Sequence, residues 1–306
     1  MFLQKTAPLF VLSALVLSLA EARADATPTQ SELESIYYTW RQSMMRADYD
    51  LWRSSTAIFR QRLVRNQIVS EKKPFPQTLF VMEMRPPSLT GLKCVGIRTV
   101  GNTAAITYYG KVDFGVGGQP TDNAFVLLFV RENGIWKYDT ARFFNLSKLP
   151  DVKRRLAKGD VKILDEQDGF QPLGKVPATP PLCPKPQYIA KIFVDCPGRK
   201  VNANINNISF HTFENTREAA LVSGGLKVGQ NSIKYQIEDI PNVPKGPFTI
   251  SVYIMPEVEG NFPGRAYHYT VTPDQAPLNG DFLMDVNVDL LKTMKGVPKK
   301  QVPQKN

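Results

Sequence analysis

Histidine is the side chain that most often acts as a general base in enzymes, and this chain of 306 residues contains two histidines. His211 and His268 both lie in the second half of the chain, in alternating patterns typical of β-strands. A Ser–His–Asp or Cys–His arrangement in the first half would therefore have no base. We expect both histidines to have packing or surface roles.

Carboxylates offer the other route to acid–base chemistry. A carboxylate base in an apolar pocket works with a donor, such as a tyrosine hydroxyl, that stabilises the developing oxyanion. Asp113 and Glu83 are the convenient bases in the first half of the chain, but Asp113 alternates with polar residues on the expected wet face of a strand. We therefore predict no catalytic residue. A ligand pocket is the alternative, and its predicted lining is Tyr37, Trp40, Tyr108, Asp113 and Trp136.

The sequence carries no strong metal or cofactor motif. It has no Cys-x-x-Cys pair and no cluster of Cys and His, which structural zinc sites use. Asp285, Asn287 and Asp289 have the spacing that begins a calcium-binding loop, but Leu290 stands where such a loop needs glycine. The alternation of this segment with apolar residues favours a strand instead. We predict no metal and no cofactor.

The first 24 residues have the three-part organisation of a secretory signal peptide. A short charged start is followed by an apolar run over residues 7–20, and Ala22 and Ala24 supply small residues at a cleavage site. The run is shorter than the about 20 apolar residues that a membrane span needs. Residues 1–24 are therefore a predicted signal peptide, cleaved after Ala24. We expect a periplasmic or secreted protein of a bacterial envelope, with no transmembrane segment.

Residues 25–147 are predicted to form one α+β domain. Apolar residues at helical spacing from Leu33 to Met44 indicate a first helix, which Ser31 or Thr29 can cap. Four extended runs follow, with turn signals at Gly101-Asn102 and Asn133-Gly134. We therefore predict that the helices come first along the chain and that an antiparallel sheet follows them. The four runs cover residues 91–99, 103–114, 123–131 and 135–143.

Three segments of this domain resemble the NTF2-like family, which includes ketosteroid isomerases. They are residues 46–50 (RADYD) after the helix that carries Trp40, residues 100–104 (VGNTA) and residues 130–138 (VRENGIWKY). The resemblance implies a cone-shaped α+β fold and a homodimer formed through this domain. It implies no activity, because these are scaffold motifs. No residue here matches the isomerase catalytic pattern, so no catalytic role is transferred.

The rest of the chain is predicted to be a connection and a second domain. Residues 148–186 are expected to hold a short basic helix and a stiff proline-rich linker. Residues 187–290 contain short extended runs separated by turns, which predicts a β-sandwich. Residues 226–235 resemble a corner found in immunoglobulin-like modules. Residues 291–306 are a predicted disordered basic tail. The predicted fold class is an α+β NTF2-like cone domain plus an all-β immunoglobulin-like sandwich.

The chain contains three cysteines, which could form a disulfide or remain free thiols. Cys183 and Cys196 flank one extended stretch, and an exported protein can keep a disulfide, so we predict a bridge between them. Cys94 lies in an apolar strand pattern and is expected to be a buried free thiol. The odd count leaves one thiol unpaired in any case.

The net charge of the chain indicates which classes of partner it can bind. The formal charge of +10 falls to +9 when residues 1–24, which carry a net +1, are removed. Such an excess favours acidic partners. An exported protein rarely meets nucleic acid, so we expect no nucleic acid and expect envelope surfaces instead.

These features predict an exported, non-enzymatic binding or interaction protein of the cell envelope. Its partner would be a small ligand or an envelope protein or polymer, bound at the mouth of the cone or at the edge of the sandwich. One alternative is a small-molecule enzyme of the ketosteroid-isomerase type that uses Asp113 or Glu83 as base. Another is a carbohydrate-binding module in the second domain, which would need an exposed, coplanar platform of Tyr253, Tyr267 and Tyr269.

The signal-peptide hypothesis predicts that the mature protein begins at Asp25. N-terminal sequencing of the protein from an envelope fraction measures this directly. Replacing Ala24 by Arg should leave the precursor uncut, because the cleavage site needs a small residue there. The Arg23→Gln variant, changed at the middle position of the site, is the matched control and should be processed normally. Equal processing of both variants would contradict the assignment.

Overall fold

The computed structural model describes residues 27–115, 119–165, 169–273, 275 and 279–295. The predicted signal peptide, residues 1–24, lies outside this range, as do residues 296–306 of the predicted tail. The described chain combines helices with three antiparallel sheets of four strands each, which is a mixed α+β fold with mostly β content. Among the described helices, none has the length and apolar character needed to cross a membrane.

The chain divides into two compact units. Within the described residues, the first unit comprises residues 27–61 and 80–178, and the second comprises residues 62–79 and 179–295. The predicted boundaries at 147 and 187 differ from this division at two places. Most of the predicted linker belongs to the first unit, and a segment from the first half of the chain belongs to the second unit. The periodicity of apolar residues along the sequence predicts helices and strands, but it does not predict which distant segments pack into the same unit.

Three helices begin the described chain. They are α1 (Gln30–Arg46), α2 (Tyr49–Ser55) and α3 (Ile58–Ser70), and a 3₁₀ turn (Gln77–Phe80) follows. Thr29 Oγ1 accepts a hydrogen bond from the Glu32 N–H at 3.2 Å, so Thr29 is the N-cap of α1 and Ser31 lies inside the helix. The division between the units falls within α3.

The first unit contains one antiparallel sheet with the strand order β1-β2-β3-β4. Its strands are β1 (Lys93–Val100), β2 (Thr103–Val112), β3 (Thr121–Glu132) and β4 (Ile135–Asn145). The four predicted runs are therefore confirmed. Asn133 and Gly134 have φ values of 51° and 79°, the left-handed conformation that a tight two-residue hairpin needs.

Both faces of this sheet are covered. On one face, Leu33 and Tyr37 of α1 are fully buried against Ile106, Phe125 and other sheet residues. The other face includes Ala105 and is covered by the segment that follows β4. This segment forms α4 (Pro150–Ala157) and a 3₁₀ turn (Val161–Leu164).

The predictions for residues 148–178 and for the wet face of β2 need correction. Leu156, Leu164 and Phe170 are buried against Ala105 and other residues of β2 and β3. The segment therefore completes a core instead of serving as a linker. Covering this face also buries Thr107, which shares it with Asp113, although Asp113 itself is exposed.

The second unit contains two antiparallel sheets, with the strand orders β11-β10-β5-β8 and β12-β9-β6-β7. Its strands are β5 (Ala190–Asp195), β6 (Arg199–Ile205), β7 (Ser209–Glu214), β8 (Arg217–Leu221), β9 (Gly229–Asp239), β10 (Phe248–Ile254), β11 (Gly264–Val271) and β12 (Gly280–Val286). Alternate residues of both sheets, such as Val201 of β6 and Ile250 of β10, enter one shared core. Period-two burial explains why these residues form strands.

The end of the second unit is helical where a strand and a tail were predicted. Helix α5 (Val288–Thr293) follows β12, and its N-cap Asn287 accepts a hydrogen bond from the Leu290 N–H at 3.0 Å. Asn287 is therefore a cap and Asp285 is a strand residue. Residues 291–293 of the predicted disordered tail continue this helix, and Met294 is buried.

Side chains of α3 that belong to the second unit hold part of the proline-rich segment. Asn66 Nδ2 donates to the Pro181 carbonyl, and Arg65 Nη1 donates to the Cys183 carbonyl, each at 2.8 Å. Ser70 Oγ accepts from the Gly224 N–H at 2.8 Å. Prolines have no N–H, so at Pro181 the main chain can be held only through its carbonyl. Asn66 also accepts at Oδ1 from the Cys183 N–H at 3.2 Å.

The predicted disulfide is not formed, and all three cysteines are free. Cys183 Sγ lies 3.6 Å from Ser70 Oγ, whereas Cys196 Sγ lies 3.5 Å from the Thr216 carbonyl oxygen. The two thiols thus have different partners on different segments. Their positions at the two ends of one extended stretch therefore do not place the two thiols in contact.

His211 is half-buried in the second unit. Its Nε2 lies 2.7 Å from Ser209 Oγ, and its ring stacks on Phe213 with 5.9 Å between centroids. Burial lowers the pKa of His211 to about 4. The imidazole is therefore neutral at physiological pH and has a packing role.

The lowered pKa of the half-buried His211 imidazole predicts acid sensitivity. In the unfolded chain His211 protonates near pH 6.5, whereas in the folded protein it stays neutral down to about pH 4. Protons thus favour the unfolded chain between these values, so stability is full above pH 6.5 and falls as the pH drops, by about 3 kcal/mol at pH 4. Urea unfolding followed by circular dichroism at several pH values measures this. The His211→Gln variant should lose this dependence, whereas His268→Gln should keep it. Equal pH dependence in both variants would contradict the explanation.

Candidate ligand-binding site

The first unit contains an apolar cavity of about 200 Å³ between α1, the sheet and the loop before β1. We call it the aromatic cavity. Its lining from the helix and the sheet side is Tyr37, Trp40, Met44, Phe114, Phe125, Tyr138, Ala141 and Phe143. Its lining from the loop is Met82, Met84, Arg85, Pro86 and Pro87.

The helical side of the cavity follows from residue spacing. Tyr37, Trp40 and Met44 are separated by three and four positions, which places them on one face of α1. The Tyr37 and Trp40 rings stack with 5.7 Å between centroids, and Trp40 lies 4.1 Å from the Tyr138 ring. These ring contacts hold the helical side in a defined geometry.

The sheet side is built from a cross-strand pair. Phe125 of β3 and Phe143 of β4 are register partners, and their rings are parallel with centroids 4.7 Å apart. Phe114, just after β2, contacts Phe143 edge-on at 4.6 Å. Cross-strand aromatic pairs of this kind stabilise a sheet and also present a flat apolar surface.

The loop side is held by three hydrogen bonds. Tyr37 Oη donates to the Pro87 carbonyl at 2.7 Å, and Arg41 Nε donates to the Pro86 carbonyl at 2.8 Å. The Arg85 N–H donates to the Phe114 carbonyl at 3.1 Å. Both prolines are buried, so the loop is fixed against the helix although it has no regular secondary structure.

Among the residues that the structure describes, Arg85 is the single charged residue in the lining of the cavity, and no carboxylate lines it. Among the described residues, nothing forms a hydrogen bond or an ion pair with the Arg85 guanidinium. Burial raises the pKa of the Tyr37 and Tyr138 hydroxyls, so both stay protonated at physiological pH. The cavity thus combines apolar walls with one unpaired positive charge.

The structure separates the five predicted pocket residues. Tyr37 and Trp40 line the cavity. Tyr108 and Trp136 are buried in the core instead, and Tyr108 Oη donates to Glu34 Oε1 at 2.7 Å. Asp113 is exposed and accepts from the Gly115 N–H at 2.8 Å, so it lies outside the cavity. Glu83, the other candidate base, is also exposed and outside the lining.

Several lining residues were not predicted from the sequence. Met82, Met84 and Arg85 precede the Pro86-Pro87 pair, in a segment that lies between the predicted helices and strands of this domain. Alternation of methionine with charged residues before a double proline was the available signal. Methionine is common at adaptable apolar binding surfaces, because its unbranched thioether chain can change shape.

The tyrosine platform of the second unit is not present. Tyr267 and Tyr269 are half-buried and pack against the shared core. The Tyr267 hydroxyl lies 3.0 Å from the Tyr235 hydroxyl, and Tyr253 is also half-buried. These rings fill space between strands and do not form an exposed, coplanar surface. The described part of the chain also contains no group of three or more potential metal ligands.

The fold is a mixed α+β fold, and its first unit contains an apolar, aromatic-lined cavity. Comparison of the chain with protein families, curated proteins and solved structures finds no match. The interpretation of the cavity therefore depends on its own geometry.

Removing the Tyr37 hydroxyl should loosen the cavity. Tyr37→Phe leaves the Pro87 carbonyl without its donor and should lower the free energy of unfolding by about 1–3 kcal/mol. Urea unfolding followed by tryptophan fluorescence reports on the first unit, which contains all three tryptophans of the chain. Tyr38→Phe is the matched control, since Tyr38 is 36% exposed, and its effect should stay within about 0.5 kcal/mol. Similar losses in both variants would rule out the proposed anchoring.

Proposed function

We propose that this protein is an exported, non-enzymatic binding protein of the bacterial cell envelope. Its first unit would have the NTF2-like cone fold and its second the immunoglobulin-like sandwich. Helices that precede a four-stranded antiparallel sheet support the first assignment. Two four-stranded antiparallel sheets that share one core support the second. The signal-peptide pattern of residues 1–24 supports export.

The aromatic cavity would hold a small molecule with an apolar body and one negatively charged group. The observation that carries this proposal is the lining itself, in which Arg85 is the single charged residue among aromatic, methionine and proline side chains. Apolar walls favour an apolar ligand through the hydrophobic effect. An unpaired guanidinium favours a carboxylate, which can accept two parallel hydrogen bonds from it.

The size of the cavity restricts the ligand further. An apolar cavity of about 150 Å³ holds a benzene molecule, and the aromatic cavity measures about 200 Å³. One ring or a short alkyl chain therefore fits inside. The negatively charged group of the ligand would stay near Arg85, which lines the cavity and is exposed to solvent.

The lining favours binding over proton abstraction. An isomerase-type reaction needs a carboxylate base within the pocket, and none of the described residues that line the aromatic cavity is a carboxylate. The Tyr37 and Tyr138 hydroxyls stay protonated because burial raises their pKa values. Neither hydroxyl serves as a base near neutral pH, and the single Tyr37 hydroxyl proton is already donated to the Pro87 carbonyl.

Octanoate and octan-1-ol form a matched pair of probes, because they share a chain length and differ in charge. The mature protein should bind octanoate more tightly than octan-1-ol in isothermal titration calorimetry. Arg85→Gln should weaken octanoate binding at least about tenfold, since a hydrogen bond to a charged group is worth about 1.5–3 kcal/mol. Binding of octan-1-ol should be unchanged in this variant.

Arg46→Gln is the control for a general loss of positive charge, because Arg46 is exposed in the last turn of α1 and does not line the cavity. It should bind octanoate as the parent does. Equal octanoate affinity in the parent and in Arg85→Gln would disprove the assigned role of Arg85. Failure of the parent to bind either probe would disprove the cavity as a site for ligands of this size.

A further inference from the structure

We propose that the second unit carries a separate binding site for a neutral carbohydrate chain, on the outer face of the sheet β12-β9-β6-β7. An open groove of about 640 Å³ crosses this face. We call it the amide groove. The side chains on which the proposal depends are Asn202, Asn204, Phe210, Thr212, Gln236 and Asn279.

The alternation of β6 places the amides in the groove. Val201, Ala203 and Ile205 are buried in the core of the second unit, so Asn202 and Asn204 between them are on the opposite face. A single shift in register would have buried both amides. The core packing of β6 therefore presents them outward.

Strand pairing arranges these side chains in two rows across the sheet. Asn202 is the register partner of Thr212 on β7 and of Gln236 on β9. Asn204 is in the same way paired with Phe210 on β7. Neighbouring strands lie about 4.8 Å apart. Successive polar groups in a row are thus separated by a distance that the neighbouring hydroxyls and rings of an oligosaccharide can span.

Much of the hydrogen-bonding capacity of the amides is unused. Thr212 Oγ1 donates to Asn202 Oδ1 at 2.8 Å, and Asn279 Oδ1 accepts from the Ile237 N–H at 2.7 Å. Within the described residues, the Nδ2 atoms of Asn202 and Asn279 have no acceptor. Gln236 has no partner there either, and Asn204 Oδ1 is shielded from solvent without a donor.

Unsatisfied amides match sugar hydroxyls. Each carboxamide offers two donors and one acceptor oxygen, and each hydroxyl both donates and accepts. A shielded acceptor such as Asn204 Oδ1 gains free energy when a donor reaches it after a small side-chain rotation. Phe210, which is 60% exposed, adds an aromatic surface at the end of its row for the apolar face of a sugar ring.

Charge in the groove favours a neutral ligand. Lys234 Nζ lies 2.9 Å from Asp281 Oδ2, so the two charged residues of the lining neutralise each other. A phosphate-rich or otherwise acidic polymer would need unpaired cations here. The excess positive charge of the chain does not extend to this groove.

The strand arrangement disfavours an extended peptide. A peptide strand binds by adding to a free sheet edge, where main-chain groups are unpaired. The groove crosses the outer face of all four strands, of which β7 and β12 are the edges. Its lining on β6 and β9 belongs to the two inner strands, which pair on both sides and therefore offer a ligand their side chains. Side-chain recognition of this kind suits a glycan.

An array of immobilised oligosaccharides that contains neutral and acidic chains, probed with the mature protein, is the first test. A neutral chain should be bound, and binding should persist in about 0.5 M sodium chloride, where screened charge contacts are weakened. Binding to acidic chains that disappears at this salt concentration would overturn the proposal. Binding to no neutral chain would overturn it as well.

A matched pair of variants then locates the site. Gln236 and Gln230 are both exposed glutamines of β9, and Gln236 lines the amide groove whereas Gln230 does not. Gln236→Ala and Asn202→Ala should each weaken the bound glycan about fivefold in calorimetric titration, as expected for one lost hydrogen bond. Gln230→Ala should bind as the parent does. Equal effects of Gln236→Ala and Gln230→Ala would overturn the proposed location.

Octanoate titration of the Gln236→Ala variant separates this site from the aromatic cavity. The amide groove and the cavity have no lining residue in common. Octanoate affinity should therefore be unchanged in Gln236→Ala, with an unchanged circular dichroism spectrum. Parallel loss of both activities with an altered spectrum would show misfolding and remove the support for a local role of Gln236.

Discussion

The hydrogen bond from the Tyr37 hydroxyl to the Pro87 carbonyl is the contact on which the candidate site depends. It joins the helix face that carries Trp40 to a loop without regular structure, and it crosses 50 positions of sequence. Both Pro86 and Pro87 lack an N–H, so their carbonyls are the groups through which the main chain of this stretch can be held. Arg41 binds the first carbonyl and Tyr37 the second. Without these two donors, the loop would not form a stable side of the cavity.

The same anchoring determines the electrostatics of the cavity. The main chain of Arg85, next to Pro86, is held by its own N–H, which donates to the Phe114 carbonyl. Arg85 thereby lines an otherwise apolar space. The positive charge of the cavity comes from Arg85 of the loop, whereas the shape of the cavity is determined by side chains of the helix and the sheet. The two properties can therefore be changed independently by substitution.

Local patterns predicted the elements well and their assembly poorly. The Asn133-Gly134 turn and the alternation along β3 and β4 specify a hairpin over a short stretch, so no distant information is needed. Leu156 and Phe170 gave no such signal, because the basic helix and the predicted linker that carry them are buried only through contacts with the distant strands β2 and β3. The lining of the cavity was predicted only in part, because it too depends on contacts between segments that are distant in sequence. Helical spacing identified Tyr37 and Trp40, but nothing local places Met84 and Arg85 opposite them.

The buried thiols of the second unit have a consequence for redox chemistry. Cys183 is 1% exposed and Cys196 is fully buried, and each contacts oxygen atoms of its surroundings, the Ser70 hydroxyl or the Thr216 carbonyl. Burial also raises the pKa of Cys196, so little of the reactive thiolate forms. If the protein works in an oxidising compartment, these sulfurs stay reduced because oxidants and other thiols do not reach them. Steric shielding would then preserve two unpaired cysteines in an environment that usually cross-links them.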